Sequence, residues 1–199
     1  MCGRYTYPLN EALLGHFYQQ LPPEDQEIVQ TDIVYPGKPV LVLGQDSTGK
    51  VRARALQWGF PGFEKGQLLI NARAESITEK PTFRTAFRHR RCLFPMARFY
   101  EWSTDKTRYL FNGQDVLYVG GCYQMKEGQA QAVLMTQAAG PVVAPIHHRM
   151  PYFVAAQDLR QWLKDPNFAQ AYTSPTLELF AEQDGDPKKP QSLTIGPLA

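Results

Sequence analysis

The sequence predicts one α+β domain built on a curved, barrel-like β-sheet, mixed or antiparallel, with helices at its periphery. Many short strand-like runs separated by turn signals, beside few helical patterns, indicate that class. Neither an internal repeat nor a linker divides the 199 residues, and a chain of this length can bury one substantial core. We therefore treat residues 1–199 as a single domain.

The first half of the chain is predicted to hold two helices with two strands between them. A helix is predicted over residues 10–21, because Asn10 is a suitable N-cap, apolar residues recur on one face, and Pro22-Pro23 stops the pattern. Apolar residues 39–43 and alternating residues 51–58 predict strands on either side of a turn at 46–49. Residues 82–91 predict a short basic helix with Phe83 and Phe87 facing inward.

The second half is predicted to be mostly strand. Residues 93–102 and 107–111 have strand patterns, and Asn112-Gly113 is a strong hairpin signal that leads into a strand over 116–124. A further strand is predicted over 130–136 and a helix over 155–163. From about residue 184 the chain is polar and contains Gly and Pro, which predicts a loose tail or loop.

Composition is that of an ordinary globular protein, and a net charge of +2 by itself indicates no class of partner. The distribution of charge is more informative. Residues 73–98 contain seven basic side chains against two acidic ones, which suits a local anionic ligand or, equally, a solvated helix face.

Three cysteines without close pairing argue against a disulfide framework and for a reducing compartment. No secretory or membrane-spanning pattern is present, so the sequence predicts a soluble, cytoplasmic protein, with a monomer as the default.

Cys2 offers chemistry that an internal cysteine lacks. If an aminopeptidase removes Met1, Cys2 carries a thiol and a free α-amine on adjacent carbons. The amine can condense with an aldehyde to an imine, and the thiol can then close on the same carbon to form a thiazolidine. The α-amine titrates at about 7.7–8.0, so part of it is neutral at physiological pH, and the second attack is intramolecular.

Three other residues are candidates for proton transfer or substrate binding. Glu101 lies between large aromatic residues in a predicted strand, where it either faces solvent, pairs with a cation, or is held as a general acid with a raised pKa. Asn71 suits either a substrate hydrogen bond or a turn cap. Of His147 and His148 only one can face a given pocket, and adjacent histidines are poor chelators, so a metal site is not predicted.

Some arginines and tryptophans suit a nucleic acid, but each also has an ordinary structural explanation. Arg73 and Arg149 could grip phosphates or form ion pairs. Trp58 and Trp102 could stack on unpaired bases or lie in the core.

Six motifs occur in an order that resembles the SRAP family, the SOS-response-associated peptidase-like proteins that process abasic sites. The matching stretches are 1–4, 58–59, 71–75, 91–95, 99–102 and 147–151, which read Met-Cys-Gly-Arg, Trp-Gly, Asn-Ala-Arg-Ala-Glu, Arg-Cys-Leu-Phe-Pro, Phe-Tyr-Glu-Trp and His-His-Arg-Met-Pro. Three features depart from the family pattern. The stretch Trp-Gly-Phe-Pro-Gly-Phe at 58–63 is shorter than the usual Trp-Gly-x-x-Pro-x-Trp, and two single positions differ. Arg98 stands where a small residue is usual, and His148 stands where an acidic residue is common.

The resemblance implies a protein that loses Met1, binds single-stranded DNA, and captures the ring-opened aldehyde of an abasic site as a thiazolidine on Cys2. By the same resemblance, Asn71 orients the opened sugar or the amine, Glu101 shuttles protons and His147 donates a proton. The family's peptidase label implies that these groups assist removal of Met1, and lyase activity is left open.

The resemblance also implies a set of DNA contacts. No cofactor, metal or membrane is expected. Some contacts hold phosphates and others are aromatic. The residues assigned to them are Arg4, Arg73, Arg149 and, from the basic helix, Arg84 for phosphates, with Trp58 and Trp102 as aromatic contacts.

Two other functions are consistent with the residues. One is a thiol peptidase that uses an amino-terminal Cys2 as its nucleophile. The other is a single-stranded DNA-binding module without chemistry, which uses the basic stretch at 73–98 and the tryptophans.

Overall fold

A computed structural model describes residues 2–184 and shows a strand-rich fold with helices around it. The strands are β1 (Tyr5–Tyr7), β2 (Asp32–Val34), β3 (Pro39–Gln45), β4 (Val51–Trp58), β5 (Phe60–Pro61), β6 (Leu68–Leu69), β7 (Asn71–Arg73), β8 (Arg91–Trp102), β9 (Arg108–Lys126), β10 (Gln129–Ala138), β11 (Arg149–Pro151) and β12 (Phe180–Gln183). The predicted loose tail lies outside the described residues from 185 onward.

Five strands close into a barrel. Along the sheet β9 pairs with β10, β10 with β4, β4 with β3 and β3 with β8, and β8 then pairs with β9 to complete the circuit. The β10–β4 pairing is parallel and the others are antiparallel. The predicted α+β class with a barrel-like mixed sheet is therefore confirmed.

The remaining strands extend the barrel where the candidate residues lie. β1 and β2 continue the sheet from β8, while β7 and β11 both pair with β10. β5 and β6 form a separate two-stranded hairpin.

The helices are short and lie outside the barrel strands. They are α1 (Ala12–Gln19), α2 (Pro23–Ile28), α3 (Pro81–His89), α4 (Leu159–Lys164) and α5 (Pro166–Ala171). Glu11, and not Asn10, is the N-cap of α1. The sequence did not predict α2 or α5. Each has a proline in its first turn, and the Asp165 side chain accepts from two backbone N–H groups at the start of α5.

The predicted hairpin at Asn112-Gly113 is wrong. β9 continues through these residues, and its register against β8 moves from Arg98↔Asn112 to Met96↔Leu117. Residues 113–116 are therefore four residues of an irregular bulge that lies opposite Ala97 of β8. A hairpin would have paired the two halves of β9 with each other, but both halves pair with the long strand β8, which satisfies their backbone groups without a reversal.

Arg91 ties two helices to the start of β8. Its side chain is buried and donates to the carbonyls of Trp162 at 2.7 Å, Leu163 at 2.7 Å, Phe87 at 2.9 Å and Arg88 at 2.7 Å. These carbonyls belong to the last turns of α3 and α4, where helix carbonyls have no partner within the helix.

Replacing Arg91 by methionine is expected to lower the free energy of unfolding by about 3 kcal/mol, because it leaves buried carbonyls without donors. Urea unfolding followed by tryptophan fluorescence measures the change. Arg88→Met is the matched control: that side chain is exposed, so its change should stay within about 0.5 kcal/mol. Equal effects of the two substitutions would contradict a bonding role for Arg91.

Candidate functional site

The start of the chain lies along the end of β8. Tyr5 pairs with Phe99, and the Tyr100 N–H donates to the Arg4 carbonyl at 3.0 Å. Because the pairing is antiparallel, each step toward residue 2 is a step toward the carboxyl end of β8, where Glu101 lies. This register brings the first residues of the chain to Glu101.

The Cys2 side chain is fully buried. Its thiol donates to the Arg4 carbonyl, with 3.7 Å between Sγ and O. Burial raises the pKa of the Cys2 thiol well above its ordinary value, and the nearby Glu101 carboxylate raises it further. The resting sulfur is therefore a protonated thiol, and it needs a proton acceptor before it can act as a nucleophile.

Asn71 reaches Cys2 from another strand. Its Nδ2 donates to the Cys2 carbonyl at 3.0 Å. β7 pairs in parallel with β10, with Asn71 opposite Leu134, and this pairing fixes where Asn71 emerges. Asn71 Oδ1 is buried and accepts no hydrogen bond from the described residues, so it can accept one from a bound group. Asn71 is thus a contact to the first residues of the chain and not a turn cap.

Glu101 lies inside the protein, with 1% of its surface exposed. This burial excludes the interpretation that Glu101 faces solvent from the outer side of its strand. Burial raises the pKa of Glu101 to about 7. A carboxyl with that pKa exchanges a proton readily at neutral pH, which suits a group that acts as acid and base in turn.

His147 completes the cluster around Glu101. Its Nδ1 lies 3.9 Å from Glu101 Oε2 and 3.0 Å from both the backbone N and O of Arg149. Burial lowers the pKa of His147, so the neutral ring is favoured at physiological pH. The His148 ring is exposed and stacks on it, with the centroids 4.5 Å apart.

Arg149 is engaged by a carboxylate of the protein itself. It donates to both oxygens of Glu75, at 2.7 and 2.9 Å, and to the Thr136 carbonyl at 2.7 Å. This pairing lowers the pKa of Glu75. The bond joins the segment after β7 to the segment that carries His147, so it holds two parts of the cluster together. A phosphate contact by Arg149 stays a prediction.

Arg73 and Arg4 flank the cluster in different ways. Arg73 is exposed and lies two residues after Asn71 on β7, so both side chains leave the same face of that strand. The Arg4 guanidinium lies over the rings of Tyr35 and Trp102, with its Cζ 4.8 and 4.9 Å from their centroids. Trp102 therefore contacts Arg4, and its predicted contact with DNA stays a prediction.

The two remaining predicted DNA contacts are a buried tryptophan beneath the cluster and an arginine that lies apart from it. Trp58 is fully buried against Tyr5 and Phe94, and its Nε1 donates to the Ile70 carbonyl at 2.9 Å. It is a core residue, which corrects the expectation of an aromatic contact with DNA. Arg84 is exposed on α3 and lines a cavity of about 510 Å³ between α3 and α5 that holds none of the residues around Cys2.

Sequence reasoning missed Tyr35 and did not assign a role to Glu75. Tyr35 follows β2, a strand of three residues that is too short to predict from its pattern. Glu75 lies within the Asn-Ala-Arg-Ala-Glu motif, and its place in that motif could have indicated that it belongs to the site.

Among residues 2–184 no group of three or more His, Cys, Asp or Glu side chains is arranged to hold a metal ion. Within the same span no helix is long and apolar enough to cross a membrane.

Known proteins resemble this chain both in sequence and in fold. The family described as SOS response associated peptidase (SRAP) matches residues 1–187. The abasic site processing protein YoqW of Bacillus subtilis (strain 168) is 27% identical over 215 residues, which cover 99% of this chain and 95% of the relative. The abasic site processing protein YedK of Escherichia coli (strain K12) is 26% identical over 178 residues, which cover 82% of this chain and 80% of the relative.

Two solved structures share the fold. A protein from Bordetella bronchiseptica superposes with a TM-score of 0.77 at 17% identity, covering 92% of this chain and 100% of its own. A protein from Bacteroides thetaiotaomicron superposes with a TM-score of 0.70, also at 17% identity, covering 92% of this chain and 93% of its own. At these identities the likeness concerns the fold alone.

Proposed function

Since the chain belongs to the SOS response associated peptidase (SRAP) family, we propose that it processes abasic sites in single-stranded DNA by forming a covalent adduct through Cys2. One observation carries the proposal: Asn71 and the buried Glu101 converge on the Cys2 segment. The relatives named abasic site processing proteins support the choice of substrate. Three cysteines that are all free support a reducing, cytoplasmic setting.

The proposed reaction has two covalent steps. After Met1 is removed, the Cys2 amine attacks C1 of the ring-opened sugar, and the carbinolamine loses one water to give an imine. The thiol then adds to the same carbon, and its proton passes to the imine nitrogen, which closes the thiazolidine. The raised pKa of the buried thiol supports this order, because a neutral amine is available before a thiolate is.

Glu101 is the proposed proton carrier. In its protonated form it donates to the sugar ring oxygen and takes the proton of the C1 hydroxyl, which opens the ring to the aldehyde and restores the acid. It then donates to the carbinolamine hydroxyl, which leaves as water. In its ionised form it takes the thiol proton for ring closure. Its pKa of about 7 supports both roles at one pH. His147, 3.9 Å from Glu101, is proposed to donate to the sugar or the adduct.

Asn71 and the arginines are proposed to position the substrate. The open acceptor at Asn71 Oδ1 suits the Cys2 amine or a sugar hydroxyl. The exposed Arg73 on the same face of β7 suits a neighbouring phosphate. Arg4 is proposed to contribute a second phosphate contact. Arg84 and Arg149 are also proposed phosphate contacts; Arg84 lies apart from the cluster, and Arg149 would have to exchange its pairing with Glu75 for a phosphate.

The family's peptidase label is proposed to describe removal of Met1. Asn71 donates to the Cys2 carbonyl, and Glu101 lies near the same segment, so both groups could assist hydrolysis of the bond before Cys2. A lyase reaction would start from the same imine by β-elimination. Closure of the thiazolidine removes the imine and so competes with strand cleavage.

The test is a crosslinking assay with a single-stranded oligonucleotide that contains one abasic site. The expected product survives heating in denaturant, and its intact mass is the sum of the mature protein and the DNA minus one water. A protein extended by a few residues before Cys2 is the control, because it keeps the thiol but holds the Cys2 nitrogen in an amide. An adduct with this control would overturn the proposal. Cleavage of peptides without an adduct would favour the thiol peptidase, and a salt-reversible complex alone would favour a binding module.

Replacing Arg73 by alanine is expected to weaken binding to abasic single-stranded DNA and to lower the slope of log affinity against log salt by about one. Fluorescence anisotropy at several salt concentrations measures both. Arg52→Ala is the control, because Arg52 is an exposed arginine paired with Asp46 at the start of β4. A slope that matches wild type would remove Arg73 from the phosphate contacts.

A further inference from the structure

Arg4 lies within an aromatic cage formed by Tyr35, Tyr100 and Trp102. The Arg4 Cζ is 4.8 Å from the Tyr35 centroid, 5.8 Å from that of Tyr100 and 4.9 Å from that of Trp102. Each contact has the geometry of a cation–π interaction. The Arg4 Nε is buried and makes no hydrogen bond with the described residues, so the rings are the main contacts that hold this side chain.

The cage follows from the register of three strands. β1 lies between β8 and β2 in the sheet, with Tyr5 opposite both Phe99 and Val34. One further step toward the start of the chain places Arg4 beside Tyr35 on the β2 side. On the β8 side the Tyr100 N–H donates to the Arg4 carbonyl. The rings that contact Arg4 therefore come from both strands beside β1, with Tyr35 following β2 and the other two rings on β8.

The Arg4 carbonyl connects the cage to the nucleophile. It accepts from the Tyr100 N–H at 3.0 Å and from the Cys2 thiol at 3.7 Å. Cys2 becomes the first residue once Met1 is removed, and an unanchored chain end frays. Covalent capture depends on holding the amine and thiol in one place, since reaction rates fall steeply with loss of orientation.

We propose that the aromatic cage is a positioning device for Cys2, and that Tyr35 is a positioning residue that acts through Arg4. This inference rests on the proposed function, since positioning matters only if Cys2 captures a substrate. It predicts that loss of the Tyr35 ring lowers the rate of capture even at saturating DNA, where a change in affinity through the Arg4 phosphate contact no longer limits the rate. Tyr35 is the member to test, because the residue is 40% exposed and is not part of the core.

The experiment compares Tyr35→Leu, which removes the ring face, with Tyr35→Phe, which keeps it. The crosslinking rate at saturating abasic oligonucleotide is measured first. Iodoacetamide labelling of each cysteine is then measured by peptide mass spectrometry without DNA. Tyr35→Leu is expected to lower the rate and raise labelling of Cys2, each by about 10-fold, from the loss of a partly desolvated cation–π contact. Tyr35→Phe is expected to restore both values.

Tyr123→Leu is the matched control. Tyr123 is half-buried on β9. It follows Cys122, which pairs with Arg91 at the opposite end of β8 from Glu101, and the strand rise over that length is about 30 Å. Its rate and labelling should match wild type.

Three outcomes of the Tyr35→Leu experiment would overturn the inference. In the first, the crosslinking rate and the labelling of Cys2 both match wild type. In the second, only the DNA concentration at half-saturation and the salt slope of binding change. In the third, Cys92 and Cys122 are labelled faster along with Cys2. The second outcome would make Arg4 only a phosphate contact, and the third would mean general destabilisation. If wild type itself forms no adduct, the proposed function fails, while the labelling of Cys2 still reports on the cage.

Discussion

Serine in place of Cys2 is expected to abolish the heat-stable adduct with abasic single-stranded DNA. Serine leaves a free α-amine after Met1 is removed, so the imine can still form. The hydroxyl is a far weaker nucleophile than sulfur, so the five-membered ring does not close and the imine hydrolyses. We expect the yield of adduct to fall by at least about 1,000-fold, within the range of losses seen when a nucleophile is removed.

Borohydride separates the two proposed functions of Cys2, which are imine formation by its amine and ring closure by its thiol. It reduces an imine to a stable amine, so the serine variant should give an adduct with borohydride and none without it. Cys92→Ala and Cys122→Ala are the controls, because both thiols are buried in the barrel core and should not affect capture. A stable adduct from the serine variant without reductant would show that the thiol is not part of the linkage.

Much of the site could be predicted because its chemistry is local. Cys2 is identified by its position after Met1, and Asn71 and Glu101 by the short motifs around them. What brings them together is not local. β7 reaches Cys2 through a parallel pairing with β10, and residues 4–7 reach Glu101 through an antiparallel pairing with β8. Alternation along a strand shows which residues share a face, but it does not name the neighbouring strand.

The failures have the same origin. Residue type alone did not show that Trp58 faces the core, because burial is set by distant segments, and for Arg149 it left open both a phosphate contact and the kind of ion pair that it makes with Glu75. At Asn112-Gly113 the turn signal was real but weaker than the pairing offered by β8, so it became a bulge. The fold class was predictable because it depends on the balance of strand and helix patterns and not on any one junction.

Replacing Glu101 by glutamine is expected to slow adduct formation by about 100-fold or more, while affinity for abasic DNA stays near that of wild type. Glutamine fills the same space but neither donates a proton to the sugar nor takes one from the thiol. Single-turnover crosslinking at saturating DNA gives the rate, and anisotropy gives the affinity. Equal losses in both would mean that Glu101 is needed for structure and not for proton transfer.

The pH dependence of the crosslinking rate should differ between the two proteins above about pH 7. In wild type the rate rises with pH as the amine loses its proton and falls above about pH 7 as Glu101 ionises; in the glutamine variant the descending limb is absent. Stability gives an independent measurement. Because the folded chain binds the Glu101 proton more tightly than the unfolded chain, the free energy of unfolding decreases as pH rises from 4.5 to about 7.

This contribution amounts to about 3 kcal/mol and is fully lost above pH 7. Urea unfolding from pH 4 to pH 8 should therefore show a steeper decline in wild type than in Glu101→Gln, and the difference between the two isolates this one carboxyl from all others that titrate. Parallel stability curves would mean that Glu101 has an ordinary pKa in the folded protein. The proposed acid at the sugar would then be largely ionised at neutral pH, and His147 would be the remaining proton donor in the cluster.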